Sequence, residues 1–124
     1  MRLIEVSYPE AMPVESYGPG FVRIAGRVLR GPALISPWDA GAWGGLQDSD
    51  TPLALAGRID VLLLGMGETI AHPPRPFRDA LEAAGIGVEV MTTPAACRTY
   101  NVLLGEGRRI AAALLPVGGD PAAG

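Results

Sequence analysis

The residues Asp60-Val61-Leu62-Leu63-Leu64, followed directly by Gly65-Met66-Gly67, decide the fold of this 124-residue chain. An apolar run without polar alternation is typical of a strand that is covered on both faces, as in a sheet flanked by helices. Apolar residues at helical spacing follow at 76–84 and end at Gly85, a residue type that often caps helices. This half of the chain therefore begins with a strand and a helix of an α/β fold.

Strands and helices continue to alternate after Gly85. Residues 88–91 predict a second strand, and 93–104 predict a second helix with Thr93 as its N-cap and Pro94 in its first position. Residues 109–115 predict either a last strand or a continuation of the helix, because they contain three consecutive alanines. The strand alternative gives the order β-α-β-α-β.

The N-terminal half has short strand patterns between frequent glycines and prolines. Residues 21–24 and 27–30, separated by a two-residue turn, predict a β-hairpin, and 33–35 predict another strand. Residues 38–45 are predicted as a loop, and a short helix is predicted within 49–57. Both halves together predict an α/β (or α+β) layer structure with a mixed sheet.

Composition and charge exclude several classes of protein. A net charge of −3 argues against binding to a phosphate backbone, and one cysteine with one histidine is too few for a zinc site or a disulfide. The longest apolar run is far shorter than the ~20 residues of a membrane span, and residues 1–13 lack the apolar stretch of a signal peptide. We therefore expect a soluble, cytoplasmic protein with a reduced thiol, no bound metal, no nucleic-acid partner and no membrane span.

Cys97 is the sharpest candidate for chemistry, because it falls in the first turn of the second predicted helix. A helix N-terminus stabilises a thiolate and offers free N–H groups to an anionic ligand. A ligand crevice would form between this helix start and the glycine loop that follows the apolar strand. Its candidate residues are Gly65, Gly67, Glu68, Thr92, Thr93, Cys97, Asn101 and Arg108. The alternative is that Cys97 is a small buried hydrophobic residue, as free cysteines usually are.

The glycines after the apolar strand do not complete a dinucleotide-binding motif. Ile70 stands where the third glycine is needed, and Pro73-Pro74 delays the helix that should open at once. His72 could serve Cys97 as a base, but nothing in the sequence brings the two together. We therefore predict no cofactor, and we find no catalytic set that would indicate an enzyme.

Trp38 and Trp43 are candidates for a surface that binds a protein partner, because tryptophan is enriched at interfaces. The alternative is that their rings cover the core. We assign one of them to the core and leave the other open.

Most of residues 1–117 resemble a known small family. The most specific stretch is Met91-Thr92-Thr93-Pro94-Ala95-Ala96-Cys97-Arg98-Thr99-Tyr100-Asn101-Val102-Leu103, with Glu106-Gly107-Arg108-Arg109 after it. Supporting stretches lie at 31–38, 60–67 and 85–90. The family is made up of uncharacterised bacterial and archaeal proteins, a mitochondrial assembly factor for respiratory complex I (assembly factor 3) and a more distant adipogenesis-associated protein.

The resemblance implies a fold and leaves the function open. It implies a compact α/β domain of three layers over 1–117, with a mixed sheet, a hairpin-rich N-terminal half and about two main helices. Residues 118–124 have the composition of a flexible tail. No enzymatic activity is established for the family, so the resemblance supplies no catalytic residues.

Two functional hypotheses follow. The first is a non-enzymatic interaction protein that assists assembly of a respiratory, complex I-like membrane complex, with subunits or other assembly factors as partners. The second is a small-ligand-binding or thiol-dependent protein that uses the crevice between the Gly65–Gly67 loop and the Cys97 helix start. Exposed strand edges also predict a weak homodimer.

Overall fold

A computed structural model describes residues 12–118, and within these residues it contains eight strands and three α-helices. The strands are β1 (Val14–Gly18), β2 (Phe21–Ile24), β3 (Arg27–Arg30), β4 (Ala33–Ile35), β5 (Ala40–Ala42), β6 (Val61–Gly65), β7 (Gly87–Met91) and β8 (Ile110–Leu114). The helices are α1 (Asp50–Leu53), α2 (Arg75–Ala83) and α3 (Thr93–Gly105). The predicted order, a strand-rich start followed by β-α-β-α-β, is confirmed.

The larger sheet has five strands in the order β5-β4-β8-β6-β7. Strand β6 lies between β7 and β8 and pairs with both in parallel, whereas β4 is antiparallel to β8 and to β5. Leu62, Leu63 and Leu64 of β6 are at most 2% exposed, because helices cover both faces of this strand. The predicted mixed sheet is therefore confirmed, and its central strand is the run that decides the fold.

The sheet separates two hydrophobic cores. Leu63 and the inner face of α3 belong to one core, and Leu62, Leu64 and the inner face of α2 belong to the other. Because successive residues of a strand point to opposite sides, Leu63 packs against α3 on one face, and Leu62 and Leu64 pack against α2 on the other. The result is the three-layer arrangement expected from the resemblance.

The smaller sheet is antiparallel, has the order β1-β2-β3 and packs against α3. Val22 and Ile24 of β2 are 3% exposed and face the core, while Arg23 points outward. The β2–β3 turn has positive φ at both central residues, Ala25 (52°) and Gly26 (74°), as a type I′ hairpin turn requires. This sheet completes the α3 layer.

The last part of the described chain returns to the β1–β2 turn. Val117 forms a parallel bridge with Pro19, and its carbonyl accepts a hydrogen bond of 2.9 Å from the Gly20 N–H. Val117, the last residue of the predicted domain, is thus buried and paired. Residues 1–11 and, of the predicted tail, residues 119–124 lie outside the described residues.

The structure corrects one prediction of secondary structure, adds a strand that the sequence did not predict and decides between two alternatives. The predicted loop at 38–45 contains strand β5, and β1 was not predicted at all. The alanine-rich stretch at 109–115 forms strand β8, because it pairs with strands on both sides. Within the described range, none of the helices is long and apolar enough to cross a bilayer.

Candidate functional site

Five of the eight predicted crevice residues lie together, at the carboxyl ends of β6 and β7. Gly65 ends β6, Gly67 and Glu68 follow it, and Thr92 and Thr93 connect β7 to α3. The chain leaves β6 toward α2 on one face and leaves β7 toward α3 on the other. Such a divergence is where ligands bind in many open α/β sheets.

Thr93 occupies the space between these strand ends. It is fully buried, and its hydroxyl donates to the Leu115 carbonyl (2.6 Å) and accepts from the Gly67 N–H (2.9 Å). Its own N–H donates to the Gly67 carbonyl (2.8 Å). The Thr93 side chain and the Thr93 N–H therefore bind the start of α3 to the loop after β6, and the side chain also binds it to the chain after β8.

Gly65 permits this close approach. A Cβ atom at Gly65 would lie 2.8 Å from the Thr93 Oγ1 and 2.9 Å from the Thr93 Cα, which is closer than real contacts allow. A glycine is therefore needed at position 65 because the start of α3 packs directly against the end of β6.

Thr92, one residue before the predicted position, is the N-cap of α3. Its Oγ1 accepts a hydrogen bond of 3.3 Å from the Ala95 N–H, and its backbone is extended. The prediction that Thr93 caps the helix is wrong, because Thr93 already has helical geometry and turns its hydroxyl inward. Pro94 still lies in the first turn, where a missing N–H costs nothing.

Cys97 faces the core between α3 and the smaller sheet. It is 3% exposed, and burial raises the pKa of its thiol to about 11, opposed by the nearby Arg98 cation. Desolvation therefore outweighs the attraction of the Arg98 cation for the thiolate. At neutral pH this thiol is protonated and packs as a small apolar group, which is the alternative that the sequence left open.

The other two polar candidates on or after α3 do not face the strand ends. Asn101 binds the smaller sheet: its Oδ1 accepts from the Val14 N–H (2.8 Å), and its Nδ2 donates to the Val14 carbonyl (3.0 Å). Arg108 lies beyond the end of α3, is exposed, and is 4.0 Å from Glu106. The remaining candidate, Glu68, is exposed on the loop after β6.

The two tryptophans have different environments. Trp43 is 4% exposed, its ring lies 5.8 Å from that of Phe77, and its Nε1 donates to the Asp48 carbonyl (2.8 Å). Trp38 is half-buried, and the Arg58 guanidinium lies 4.0 Å above its ring centre. The structure therefore assigns Trp43 to the core and leaves part of Trp38 at the surface.

Two shallow clefts, which the sequence did not reveal, lie on either side of edge strand β5. One has a volume of about 210 Å³, and it is lined by Leu34, Ser36, Asp39, Ala40, Gly41, Ala42, Thr51 and Leu55. The other, of about 190 Å³, is lined by Met12, Ile24, Ala25, Arg27, Ser36, Trp38, Asp39 and Ala40. The Asp39 carboxylate accepts a hydrogen bond from the outward N–H of Ala40, and the Arg27 guanidinium donates one to the Ala40 carbonyl. Side chains therefore already occupy part of this sheet edge.

No group of three or more His, Cys, Asp or Glu side chains able to hold a metal ion occurs among residues 12–118. His72 is exposed on the loop after β6, and Cys97 is buried in the core. A catalytic pair of these two residues therefore has no support in the geometry.

Comparison with known proteins places the chain in a family. A family model described as "Protein of unknown function (DUF498/DUF598)" matches residues 14–115. The chain belongs to the DUF498 family. The matched span contains every candidate residue of the crevice and both tryptophans, so all of them lie within the family's domain.

Two relatives within or near the DUF498 family bear on function. An uncharacterised protein of Rhodobacter capsulatus is 51% identical over 93% of this chain and 93% of its own length. The NADH dehydrogenase [ubiquinone] 1 alpha subcomplex assembly factor 3 of Mus musculus is 32% identical over 98% of this chain and 70% of the mouse protein. The resemblance to a complex I assembly factor is thereby confirmed as a similarity of sequence.

Solved structures confirm the fold of this DUF498 protein. A Bartonella henselae protein described as an outer membrane protein superposes with a TM-score of 0.79 at 34% identity, over 90% of this chain and 99% of that chain. A Bordetella pertussis protein with a Mth938-like domain gives a TM-score of 0.74 at 27% identity, over 97% of this chain and 94% of that chain. The three-layer α/β arrangement is thus shared by these relatives.

Proposed function

We propose that this protein is a non-enzymatic interaction protein that assists the assembly of a respiratory complex related to complex I. The observation that carries the proposal is the sequence similarity to assembly factor 3, which spans nearly the whole chain. The partners would be subunits of that complex or other assembly factors.

The side chains of the predicted crevice support a binding protein over an enzyme. The Thr93 hydroxyl and the Asn101 amide are both committed to hydrogen bonds within the molecule, and the Cys97 thiol is buried. A general base or nucleophile must instead reach a substrate. We therefore expect the protein to act through its outer surface.

The proposal also places the protein in the cytoplasm. The chain has a single cysteine, which is buried and unpaired, and an unpaired thiol fits a reducing compartment. There the protein would meet newly made subunits of the membrane-associated part of the complex.

Gene deletion in the organism that encodes the chain tests this function. We expect native gels of its membranes to show less full-size NADH dehydrogenase and more subassemblies, with reduced NADH oxidation. Succinate oxidation by the same membranes is the control and should not change. Normal amounts of the full-size complex, together with no recovery of its subunits on a tagged copy of the chain, would exclude the proposal.

A further inference from the structure

We infer that the outward face of the smaller sheet binds an acidic segment of a protein partner that also carries apolar side chains. The inference deepens the proposed function, on which it rests for the existence of a protein partner.

The pairing register defines this surface, here called the outer face. Two rows of side chains cross the three strands. One row consists of Gly18, Phe21 and Arg30, and the other consists of Ser16, Arg23 and Val28. Residues directly opposite each other in an antiparallel pair project to the same side. Val22 and Ile24, which alternate with Phe21 and Arg23, face the core, so both rows face solvent.

Phe21 gives the outer face a fixed apolar platform. Its ring lies over Gly18, since a Cβ atom at Gly18 would be 2.7 Å from the Phe21 Cε2. An aromatic ring that covers a glycine on the neighbouring strand is held by the sheet. Val28, which is 38% exposed, adds a second apolar side chain.

The charge of the outer face is opposite to that of the whole chain. Residues 21–30 contain three arginines and no acidic residue, although the net charge of the protein is −3. Arg23 and Arg30 are exposed, and none of the three ion pairs found among residues 12–118 includes them. Arg27, in contrast, binds the Ala40 carbonyl. Two guanidinium groups are thus available to carboxylates, which they bind with fixed, two-pronged geometry.

The arrangement of these groups favours a protein segment over other occupants. Each available arginine stands opposite an apolar residue, Arg23 beside Val28 and Arg30 beside Phe21. Diagonal neighbours in such a sheet are roughly 7–8 Å apart, which matches alternate side chains of an extended peptide. A nucleic-acid backbone is bound by neutralising several phosphates with basic side chains, whereas the outer face offers two available guanidinium groups. A second copy of the chain would bring the same two arginines, and therefore like charge, to the interface.

The small area of the outer face limits the affinity. Three strands of four or five residues, about 4.8 Å apart, make a face of roughly 10 Å by 15 Å, on the order of 150 Å² and far below the ~800 Å² per partner of a standard interface. We therefore expect a short segment to bind with a Kd of about 10–500 μM.

A titration followed by NMR tests the inference. The ¹⁵N-labelled protein is titrated with a synthetic peptide in which glutamate and leucine alternate, and with a control peptide in which glutamine replaces glutamate. We expect the first peptide to shift the amide signals of β1, β2 and β3, and the control peptide to shift them weakly. Arg23→Glu/Arg30→Glu should weaken binding by about tenfold or more.

A matched variant separates local recognition from net charge. Arg75→Glu/Arg98→Glu makes the same change of charge at exposed positions on α2 and α3, and it should change the Kd by less than about threefold. Arg23→Gln/Arg30→Gln provides a milder variant if the charge reversal unfolds the protein. Circular dichroism checks the fold of each variant.

Several outcomes would overturn the inference. These are equal weakening by both charge reversals, peptide-induced shifts confined to residues outside the smaller sheet, or stronger binding of single-stranded oligouridine or anionic vesicles to the same face. Normal complex assembly in the deletion strain would remove the proposed function, while specific peptide binding would leave the outer face established as a binding surface. Assembly defects in the deletion strain without peptide binding would support the proposed function and would overturn the inference about the outer face.

Discussion

Thr92 and Thr93 have different roles at the start of α3, although they are chemically identical. Thr92 satisfies a backbone N–H of its own helix, while Thr93 links Gly67 to Leu115. A threonine before a helical pattern predicts a cap from local sequence alone. The sequence could not show which of the two turns inward, because that depends on a carbonyl 22 residues away.

Replacement of Thr93 should reveal the energetic weight of this link. Thr93→Val keeps the shape but leaves the Gly67 N–H and the Leu115 carbonyl without their buried partner, and we expect a loss of about 2–4 kcal/mol in the free energy of unfolding. Thr93→Ser should lose clearly less. Urea denaturation measures both, and unchanged stability of Thr93→Val would show that the hydroxyl contributes nothing.

The thiol of Cys97 should react slowly and only at high pH. Because burial raises its pKa to about 11, the thiolate fraction should rise steadily with pH without a plateau below about pH 10. Alkylation of the native protein by iodoacetamide, followed by mass spectrometry, measures the rate, and the urea-unfolded chain is the control. Fast alkylation of the native protein at pH 7 would instead support the thiol-dependent hypothesis.

At the scale of elements, hydrophobic periodicity predicted the strands and helices that carry a clear pattern in their own sequence. It missed the strands that are extended only because they pair with other strands. Strand β6 and helices α2 and α3 carry strong patterns of their own. Strand β5 is Ala-Gly-Ala, which has no strand preference and is extended because it pairs with β4. Strand β1 buries only Val14 among its five residues, so it shows no alternation.

Asn101 should hold β1 to α3. Its side chain takes both backbone hydrogen bonds of Val14, 87 residues away. We expect Asn101→Ala to lower the free energy of unfolding by about 1–3 kcal/mol and to accelerate amide hydrogen exchange in β1 more than in β6. Val102→Ala, on the exposed side of the same helix, is the control. Unchanged exchange at Val14 would contradict this role.

The turn between β2 and β3 is strained at one residue. Ala25 has a φ of 52°, a conformation that costs a non-glycine residue about 1 kcal/mol. Asparagine tolerates this region and precedes glycine in the best type I′ turns. Ala25→Asn should therefore raise the free energy of unfolding by about 0.5–1 kcal/mol in thermal or urea denaturation. A loss of stability would indicate that the Ala25 methyl group makes a compensating contact.

At the scale of the whole molecule, the two cores share one sheet. Residues of β6 and β8 contribute to both, on alternating sides. The smaller sheet packs into one of them through Val22 and Ile24. We therefore propose that residues 12–117 form one domain, as the sequence predicted for 1–117.

Unfolding should be a single cooperative transition. Trp43 fluorescence, measured in a Trp38→Phe variant, reports the core on the α2 side, and the NMR signal of Val22 reports the core on the α3 side. Both probes should give the same urea midpoint and the same slope. An earlier midpoint for Val22 would show that the smaller sheet unfolds separately.

The return of the chain to the β1–β2 turn has a practical consequence for labelling. Because Val117 bridges to Pro19, a residue placed at 118 lies next to the turn that joins Gly18 to Phe21, at the border of the outer face. Gly118 is exposed and Cys97 is buried, so a dye on Gly118→Cys would be attached selectively, although the φ of 56° at Gly118 costs a non-glycine residue about 1 kcal/mol. Its fluorescence would report a segment arriving at the outer face, and a bulky fusion at that position would obstruct it.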